Sequence, residues 1–158
     1  MKKLLFVCSG NYYRSRFAEA YFNYLSEMFN LNTTSESRGL AIHFADELAE
    51  EHGEISTDTL ERCNDLGIPN RYWEKNRESL ELKDFNNFDE IICLDIEEHA
   101  PMIKEQFPDK IYSVNYFKVK DVFDWSPNKT LDTIAELILT MISAIRKEEP
   151  YTHIFSNT

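Results

Sequence analysis

The first fifteen residues constrain the fold more than any other part of the sequence. Residues 3–7 form a short, continuous apolar run that ends at Cys8, and a polar segment containing Gly10 follows at once. An apolar run of this length is typical of a strand in the middle of a parallel sheet, where both faces are buried. From residue 16 onward, apolar residues recur at steps of three and four, which indicates a helix. The chain is therefore predicted to begin with a strand, a loop and a helix.

Strand and helix patterns alternate along the rest of the chain. Strands are predicted at residues 33–38, 90–94 and 110–114, the first of them polar enough for a sheet edge, and helices at residues 16–29, 56–66, 96–107 and 131–145. This alternation predicts an α/β fold, a three-layer sandwich in which a four-stranded parallel sheet is flanked by helices. Ligands of such folds bind beyond the carboxyl ends of the strands, and Cys8 lies at that edge.

Composition narrows the class of protein. The 158 residues, 42% of them hydrophobic, predict a single domain with a substantial core over residues 1–158. A net charge of −11 argues against nucleic acid or an anionic membrane as a partner. No apolar run approaches the roughly 20 residues needed to cross a bilayer. The three cysteines include no Cys-x-x-Cys pair, which argues against zinc or a disulfide framework and favours a reduced, cytoplasmic protein. The sequence leaves the oligomeric state open, with a monomer favoured.

The segment after the first strand contains the residue types that phosphoryl transfer requires. Cys8 is the predicted nucleophile, because a helix N-terminus and nearby cations stabilise a thiolate. The planar guanidinium of Arg14 matches two phosphate oxygens. Ser15, at the start of the helix, can cap the helix or donate a hydrogen bond to the thiolate, and it is predicted to be one of the substrate-binding residues of the pocket. This chemistry passes through a covalent cysteinyl-phosphate and requires no metal or other cofactor.

The residues between Cys8 and Arg14 are predicted to bind the phosphate. Backbone N–H groups from Ser9 onward can cradle the anion at the helix N-terminus. Gly10 permits close approach of the backbone, and Asn11 tolerates a left-handed conformation. Tyr12 and Tyr13 are expected to form a wall of the pocket. A cysteine and an arginine at this spacing are common by chance, so the prediction depends on the strand before them and the helix behind them.

These residues resemble a known signature. The run CSGNYYRS at residues 8–15, followed by Ala18 and Glu19, is similar to the Cys-x-Gly-Asn-x-x-Arg-Ser pattern of low-molecular-weight protein tyrosine phosphatases. Residues 37–39, 88–95 and 131–145 resemble the end of that family's second strand, its third strand and its last helix. The resemblance implies a four-stranded parallel sheet and hydrolysis of phosphotyrosine in proteins, or of a small aryl phosphate.

The sequence also departs from the family pattern. Most relatives carry a second cysteine just before the arginine, where this chain has Tyr13, and the other cysteines lie far away in sequence. Protection of an oxidised nucleophile by a neighbouring disulfide is therefore not expected. Arg16 stands where the family has proline. Residues 40–55 are longer and more acidic than in relatives, and the resemblance places them near the rim that selects the substrate.

The general acid has two candidates, because the family's Asp-Pro dipeptide is missing from the loop before the last helix. Asp121 matches the expected distance from the fourth strand best, and Asp124 is the alternative. Asp95, at the end of the third strand, is expected to hold the phosphate loop in place. His99, in the following helix, is expected to be solvated or to cap the helix.

Three other functions compete with this prediction. An arsenate reductase of the same architecture needs two further cysteines on a mobile segment, and Cys63 and Cys93 are too scattered for that. A phosphate-binding module that has lost catalysis would explain the missing Asp-Pro. Hydrolysis of phosphoarginine is disfavoured, because relatives of that kind carry a small threonine where this chain has Tyr12.

Overall fold

A four-stranded parallel sheet forms the middle layer of the computed structural model, which describes residues 1–157. The strands are β1 (Lys2–Cys8), β2 (Thr33–Gly39), β3 (Glu90–Cys93) and β4 (Asn115–Tyr116), in the order β2-β1-β3-β4. β1 has a neighbour on each side, and residues 4–7 are completely buried. β2 lies at an edge, and its residues alternate between buried and half-buried, as its polar sequence requires. The predicted four-stranded parallel sheet is confirmed.

Helices cover both faces of this sheet. They are α1 (Arg14–Met28), α2 (Asp46–His52), α3 (Thr57–Asp65), α4 (Asp84–Asn87), α5 (Ile96–Gln106) and α6 (Pro127–Arg146). On one face, Phe6 of β1 belongs to a buried cluster with Phe17 of α1 and Ile134 of α6. On the other face, Val7 of β1 belongs to a second cluster with Ile103 of α5. Among residues 1–157, no helix is long and apolar enough to span a membrane.

The fourth strand lies further along the chain than the sequence predicted. Residues 110–113 belong to a 3-10 helix, Pro108–Ser113, and β4 begins only at Asn115. The prediction was wrong because Val114 is the only buried residue of the run 110–114. Tyr112 is fully exposed, whereas Tyr116 is 4% exposed. Pro108 fits the first turn of a helix, since its fixed φ suits that position and no N–H is required there.

After β4 ends, residues 117–119 remain hydrogen-bonded to the end of β3 and to the residue that follows it. The N–H of Phe117 donates to the carbonyl of Cys93 at 2.9 Å, and the N–H of Val119 donates to the carbonyl of Leu94 at 2.8 Å. These bonds bring the following loop to the carboxyl edge of the sheet, where β1 ends. α6 then begins at Pro127 rather than at residue 131, because Ser126 caps its first turn.

Gly39 at the end of β2 lies against the loop that follows β1. It pairs in register with Cys8, and the next two N–H groups, of Leu40 and Ala41, donate to the carbonyls of Cys8 and Ser9. A Cβ atom at position 39 would lie 2.7 Å from the Ser9 carbonyl oxygen and 2.7 Å from the Ile42 side chain. Only glycine allows the two backbones to approach so closely.

We predict that Gly39→Ala destabilises the protein by about 2 kcal/mol, because the added methyl group forces the loop after β1 away from β2. The free energy of unfolding should be measured by chemical denaturation. Glu36→Ala on the same strand is the control, because that half-exposed side chain should change stability by less than about 0.5 kcal/mol. Equal stabilities for Gly39→Ala and wild type would contradict the steric argument.

Candidate active site

The loop between β1 and α1 surrounds the sulfur of Cys8. Cys8 is the last residue of β1 and is 2% exposed, and α1 begins at Arg14. Asn11 adopts a left-handed backbone conformation with φ of 48°, as expected for this position in a tight loop. The loop therefore turns around the end of β1, and the N-terminus of α1 lies behind it.

Side-chain hydrogen bonds fix this loop from beneath. The amide nitrogen of Asn11 donates to Ser15 Oγ at 3.0 Å and to Ser37 Oγ at 2.9 Å. Ser15 Oγ lies 3.0 Å from Cys8 Sγ. Because Ser15 already accepts a hydrogen from Asn11, its own hydroxyl hydrogen is free to donate to the sulfur. The geometry thus supplies a hydrogen-bond donor to a thiolate at Cys8.

The same network continues to β2 and to the loop beyond it. Ser37 donates to Glu19 Oε1 at 2.5 Å, and Lys75 Nζ lies 3.2 Å from that oxygen. Burial raises the pKa of Glu19. The side-chain carbonyl of Asn11 accepts from the N–H of Glu78 at 2.8 Å. Asn11 and Ser15 are completely buried, so they hold the loop in place rather than line the pocket that the sequence assigned them to.

Arg14 is the buried cation of the site, with 2% exposure. Its Nη1 donates to the carbonyl of Val119 at 2.9 Å. Its Nη2 lies 2.7 Å from Glu98 Oε2 and 3.3 Å from Asp121 Oδ2. The guanidinium is therefore fixed in orientation by α5 and by the loop after β4.

A pocket of about 670 Å³ opens above the loop. Six of the predicted residues lie on its wall, namely Cys8, Ser9, Gly10, Tyr12, Tyr13 and Arg14. Both Asp121 and Asp124 lie on the same wall. The rim is apolar, since the exposed side chains of Phe44, Leu48 and Phe123 also line it.

The two candidate acids differ in how they are held. Asp121 contacts Arg14, and its Oδ1 accepts from the N–H of Val122 at 2.8 Å. Among the hydrogen bonds of residues 1–157, none involves the exposed carboxylate of Asp124. Asp95 does not hold the phosphate loop directly. It forms an ion pair with Lys120 at 3.0 Å and so holds the residue that precedes Asp121.

Sequence reasoning missed the contribution of α5. Glu98 Oε2 accepts from Ser9 Oγ and from Arg14, and it lies 3.0 Å from His99 Nε2. His99 is completely buried rather than solvated, and burial lowers its pKa. The signal was present in the sequence, because a helix that starts directly after β3 must begin beside the end of β1.

Arg16 has a structural role that its position in the sequence did not reveal. Its side chain is 1% exposed, and its guanidinium donates to the backbone carbonyls of Asn11, Glu54, Trp73 and Lys75 at 2.5–3.3 Å. One side chain thereby joins the phosphate loop to residues 40–55 and to the loop before Glu78. Residues 40–55 form a 3-10 helix and α2, and they lie at the pocket rim, as expected.

The other two cysteines are separated from Cys8 by the fold. All three cysteines are free. Cys93 packs in the core on the opposite face of the sheet from Cys8. Cys63 is buried on α3. Among residues 1–157, no group of three or more His, Cys, Asp or Glu side chains is arranged to hold a metal ion.

Comparison with protein families identifies this arrangement. Residues 3–136 match the model of the low molecular weight phosphotyrosine protein phosphatase family. The chain belongs to this family. A search of curated protein sequences gives no significant match. Family membership supports phosphatase chemistry at the Cys8 loop.

Several solved structures share the fold. A low molecular weight protein tyrosine phosphatase from Streptococcus pyogenes is 26% identical, with a TM-score of 0.70, and the match covers 90% of this chain and 92% of that one. YfkJ from Bacillus subtilis is 21% identical, with a TM-score of 0.76 and coverage of 95% and 98%. YwlE from Bacillus subtilis, described as an arginine phosphatase, is 21% identical, with a TM-score of 0.73 and coverage of 92% and 99%.

We predict that a thiolate-directed alkylating agent modifies Cys8 and spares the other cysteines in the folded protein. Burial raises the pKa of Cys63 to about 12 and raises that of Cys93 as well, so both remain neutral thiols at neutral pH. Peptide mapping by mass spectrometry would identify the modified residue. Unfolding should make both thiols reactive, with ordinary pKa values of about 8.5. Equal modification of Cys63 or Cys93 in the native state would contradict this prediction.

Proposed function

We propose that the protein hydrolyses phosphotyrosine in protein substrates through a cysteinyl-phosphate intermediate. The observation that carries the proposal is the convergence of Cys8, the Ser15 hydroxyl and the buried Arg14 at one end of an aromatic pocket. A nucleophile, a donor to it and a cation for the phosphate are the parts that such a reaction requires.

The proposed reaction has two steps. The Cys8 thiolate attacks phosphorus in line with the tyrosine oxygen, so that an S–P bond forms as the P–O bond breaks. Asp121 gives its proton to the departing phenolate. In the second step, a water molecule attacks the cysteinyl-phosphate, Asp121 takes a proton from that water, and the thiolate leaves with inorganic phosphate as the product. The Ser15 hydroxyl favours the thiolate as leaving group in this step.

The pocket wall favours an aromatic leaving group. Tyr12 and Tyr13 are more than nine-tenths buried beside the loop, and Phe44 and Phe123 stand exposed at the rim. Aromatic side chains that surround the phenyl ring of a substrate bury its apolar surface and make ring-to-ring contacts with it. The burial of Cys63 and the position of Cys93 on the other face of the sheet argue against a disulfide relay of the arsenate reductase kind.

Phosphoarginine is the second candidate substrate. The carboxylates of Asp58, Asp121 and Asp124 line the pocket and would attract a guanidinium leaving group. YwlE, a structural neighbour, is described as an arginine phosphatase. The bulk of Tyr12 is the argument for tyrosine, because it narrows the pocket beside the loop.

We predict that the wild-type protein releases phosphate from phosphotyrosine peptides faster than from phosphoserine or phosphoarginine peptides of matched sequence. Cys8→Ser should abolish release while inorganic phosphate still binds in isothermal titration calorimetry. Cys63→Ser is the matched control and should retain activity, since Cys63 lies outside the pocket. If phosphoarginine peptides were hydrolysed faster than phosphotyrosine peptides, phosphoarginine would replace phosphotyrosine as the proposed substrate. Retained turnover by Cys8→Ser would exclude a cysteinyl-phosphate.

A separate prediction concerns the general acid. Asp121→Asn should lower kcat for phosphotyrosine by about 10²–10⁴-fold, whereas Asp124→Asn should change it far less. The loss should shrink for aryl phosphates with acidic leaving groups, because such phenolates depart without a proton. Initial rates over a series of substituted phenyl phosphates would measure this dependence. A larger and leaving-group-dependent loss in Asp124→Asn would assign the acid to Asp124.

A further inference from the structure

The carboxylate of Glu98 reaches from α5 into the phosphate loop. Its Oε2 lies 2.7 Å from Arg14 Nη2 and 3.0 Å from His99 Nε2, and it accepts a hydrogen bond from the Ser9 hydroxyl. Three donors therefore converge on one carboxylate oxygen. The side chain is 30% exposed and lies on the same pocket wall as Cys8.

Two of these donors, His99 and Arg14, are held in place independently of Glu98. The N–H of Asp95 donates to His99 Nδ1 at 3.0 Å, so Nδ1 is unprotonated and the ring hydrogen is on Nε2. Arg14 is fixed through the carbonyl of Val119. His99, Arg14 and Ser9 are 0%, 2% and 8% exposed. The Ser9 hydroxyl also lies 3.2 Å from His99 Nε2, and Arg14 Nη2 also contacts Asp121. If the carboxylate left, all three donors would lose the charged acceptor they share, which is costly unless another anion takes that place.

A phosphate oxygen has the charge and the size to do so. Arg14 Nη2 carries two hydrogens, and the carboxylates of Glu98 and Asp121 both lie within hydrogen-bonding distance of it. A phosphate that uses this nitrogen must therefore take the place of a carboxylate. Hydrogen bonds from His99 and Arg14 outweigh the effect of burial and hold the pKa of Glu98 well below its ordinary value. Glu98 thus remains negatively charged in the neutral pH range.

We propose that Glu98 is a resident anion of the phosphate loop, which occupies the place of a substrate phosphate oxygen in the free protein and is displaced when a phosphate binds. The proposal rests on the proposed function only in that the Cys8 loop binds phosphate. Glu98 then sets the affinity of the site. It favours dianionic phosphates, because two negative charges gain more from Arg14 than a single carboxylate does. A positioning role, in which Glu98 orients Arg14 for the substrate, is the opposite hypothesis and predicts the opposite change in affinity.

The test is the affinity for inorganic phosphate in two variants, measured by isothermal titration calorimetry. Glu98→Gln removes the charge and keeps the shape, and Glu98→Ala removes the whole carboxylate. We expect Kd for phosphate to fall about tenfold in both variants, because phosphate no longer competes with the Glu98 carboxylate for the same hydrogen-bond donors. Glu97→Gln is the matched control and should leave Kd unchanged. Glu97 is the preceding residue, and its carboxylate pairs with Lys118 and Lys120 outside the pocket.

The kinetic readout separates displacement from positioning. With an aryl phosphate as substrate, KM should fall in parallel with Kd in Glu98→Gln, so that kcat/KM rises. An unchanged or larger Kd in both folded variants would overturn the proposal, and a larger Kd would assign Glu98 to positioning Arg14. Because phosphate binding is measured without turnover, a protein that binds phosphate and hydrolyses nothing would refute the proposed function and leave this inference intact.

Discussion

The side chain of Asn11 is the point on which the active-site loop depends. Its left-handed backbone turns the chain, and its amide group bonds to three separate parts of the structure. One of these bonds leaves the Ser15 hydroxyl free to donate to Cys8. Another, to Ser37, ties the loop to β2 and through it to the buried Glu19. This position therefore requires asparagine. Its short side chain ends in an amide that both donates and accepts hydrogen bonds, and the residue tolerates positive φ.

The electrostatics of the site are local. The chain carries a net charge of −11, and carboxylates from α5 and from the loop after β4 surround the phosphate loop. Against this background, the positive potential for an anion comes from Arg14, from the start of α1 and from donors such as Ser9. Arg16 does not line the pocket, because its guanidinium is buried and donates to backbone carbonyls. The site therefore holds an anion through a few well-oriented groups rather than through the overall charge of the protein.

The sequence predicted those features that are local along the chain. The strand, the loop and the helix over the first thirty residues follow one another directly, so their residue pattern was sufficient to predict the loop around Cys8. The fourth strand was misplaced because its pairing with β3 is decided by contacts distant in sequence, and the Ile, Tyr and Val of residues 110–114 favour a strand locally. For the same reason His99 was misread and Glu98 was missed. The residues of α5 do not themselves indicate that its first turn lies against the Cys8 loop. The indication is that α5 directly follows β3, which pairs with β1.

The replacement of the family's second cysteine by Tyr13 also has a structural reason. Tyr13 is 7% exposed and packs in the same cluster as Phe17, and burial raises the pKa of its hydroxyl to about 12. Its carbonyl accepts a hydrogen bond from Thr59 of α3 at 3.0 Å. The Tyr13 side chain therefore joins the loop to the core, whereas the bond to α3 uses the backbone and does not depend on the residue type. Since Cys93 lies on the other side of the sheet, an oxidised Cys8 has no disulfide partner beside it on the loop. A side chain at this position can either stabilise the loop by packing or protect the nucleophile as a thiol. In this chain it stabilises the loop.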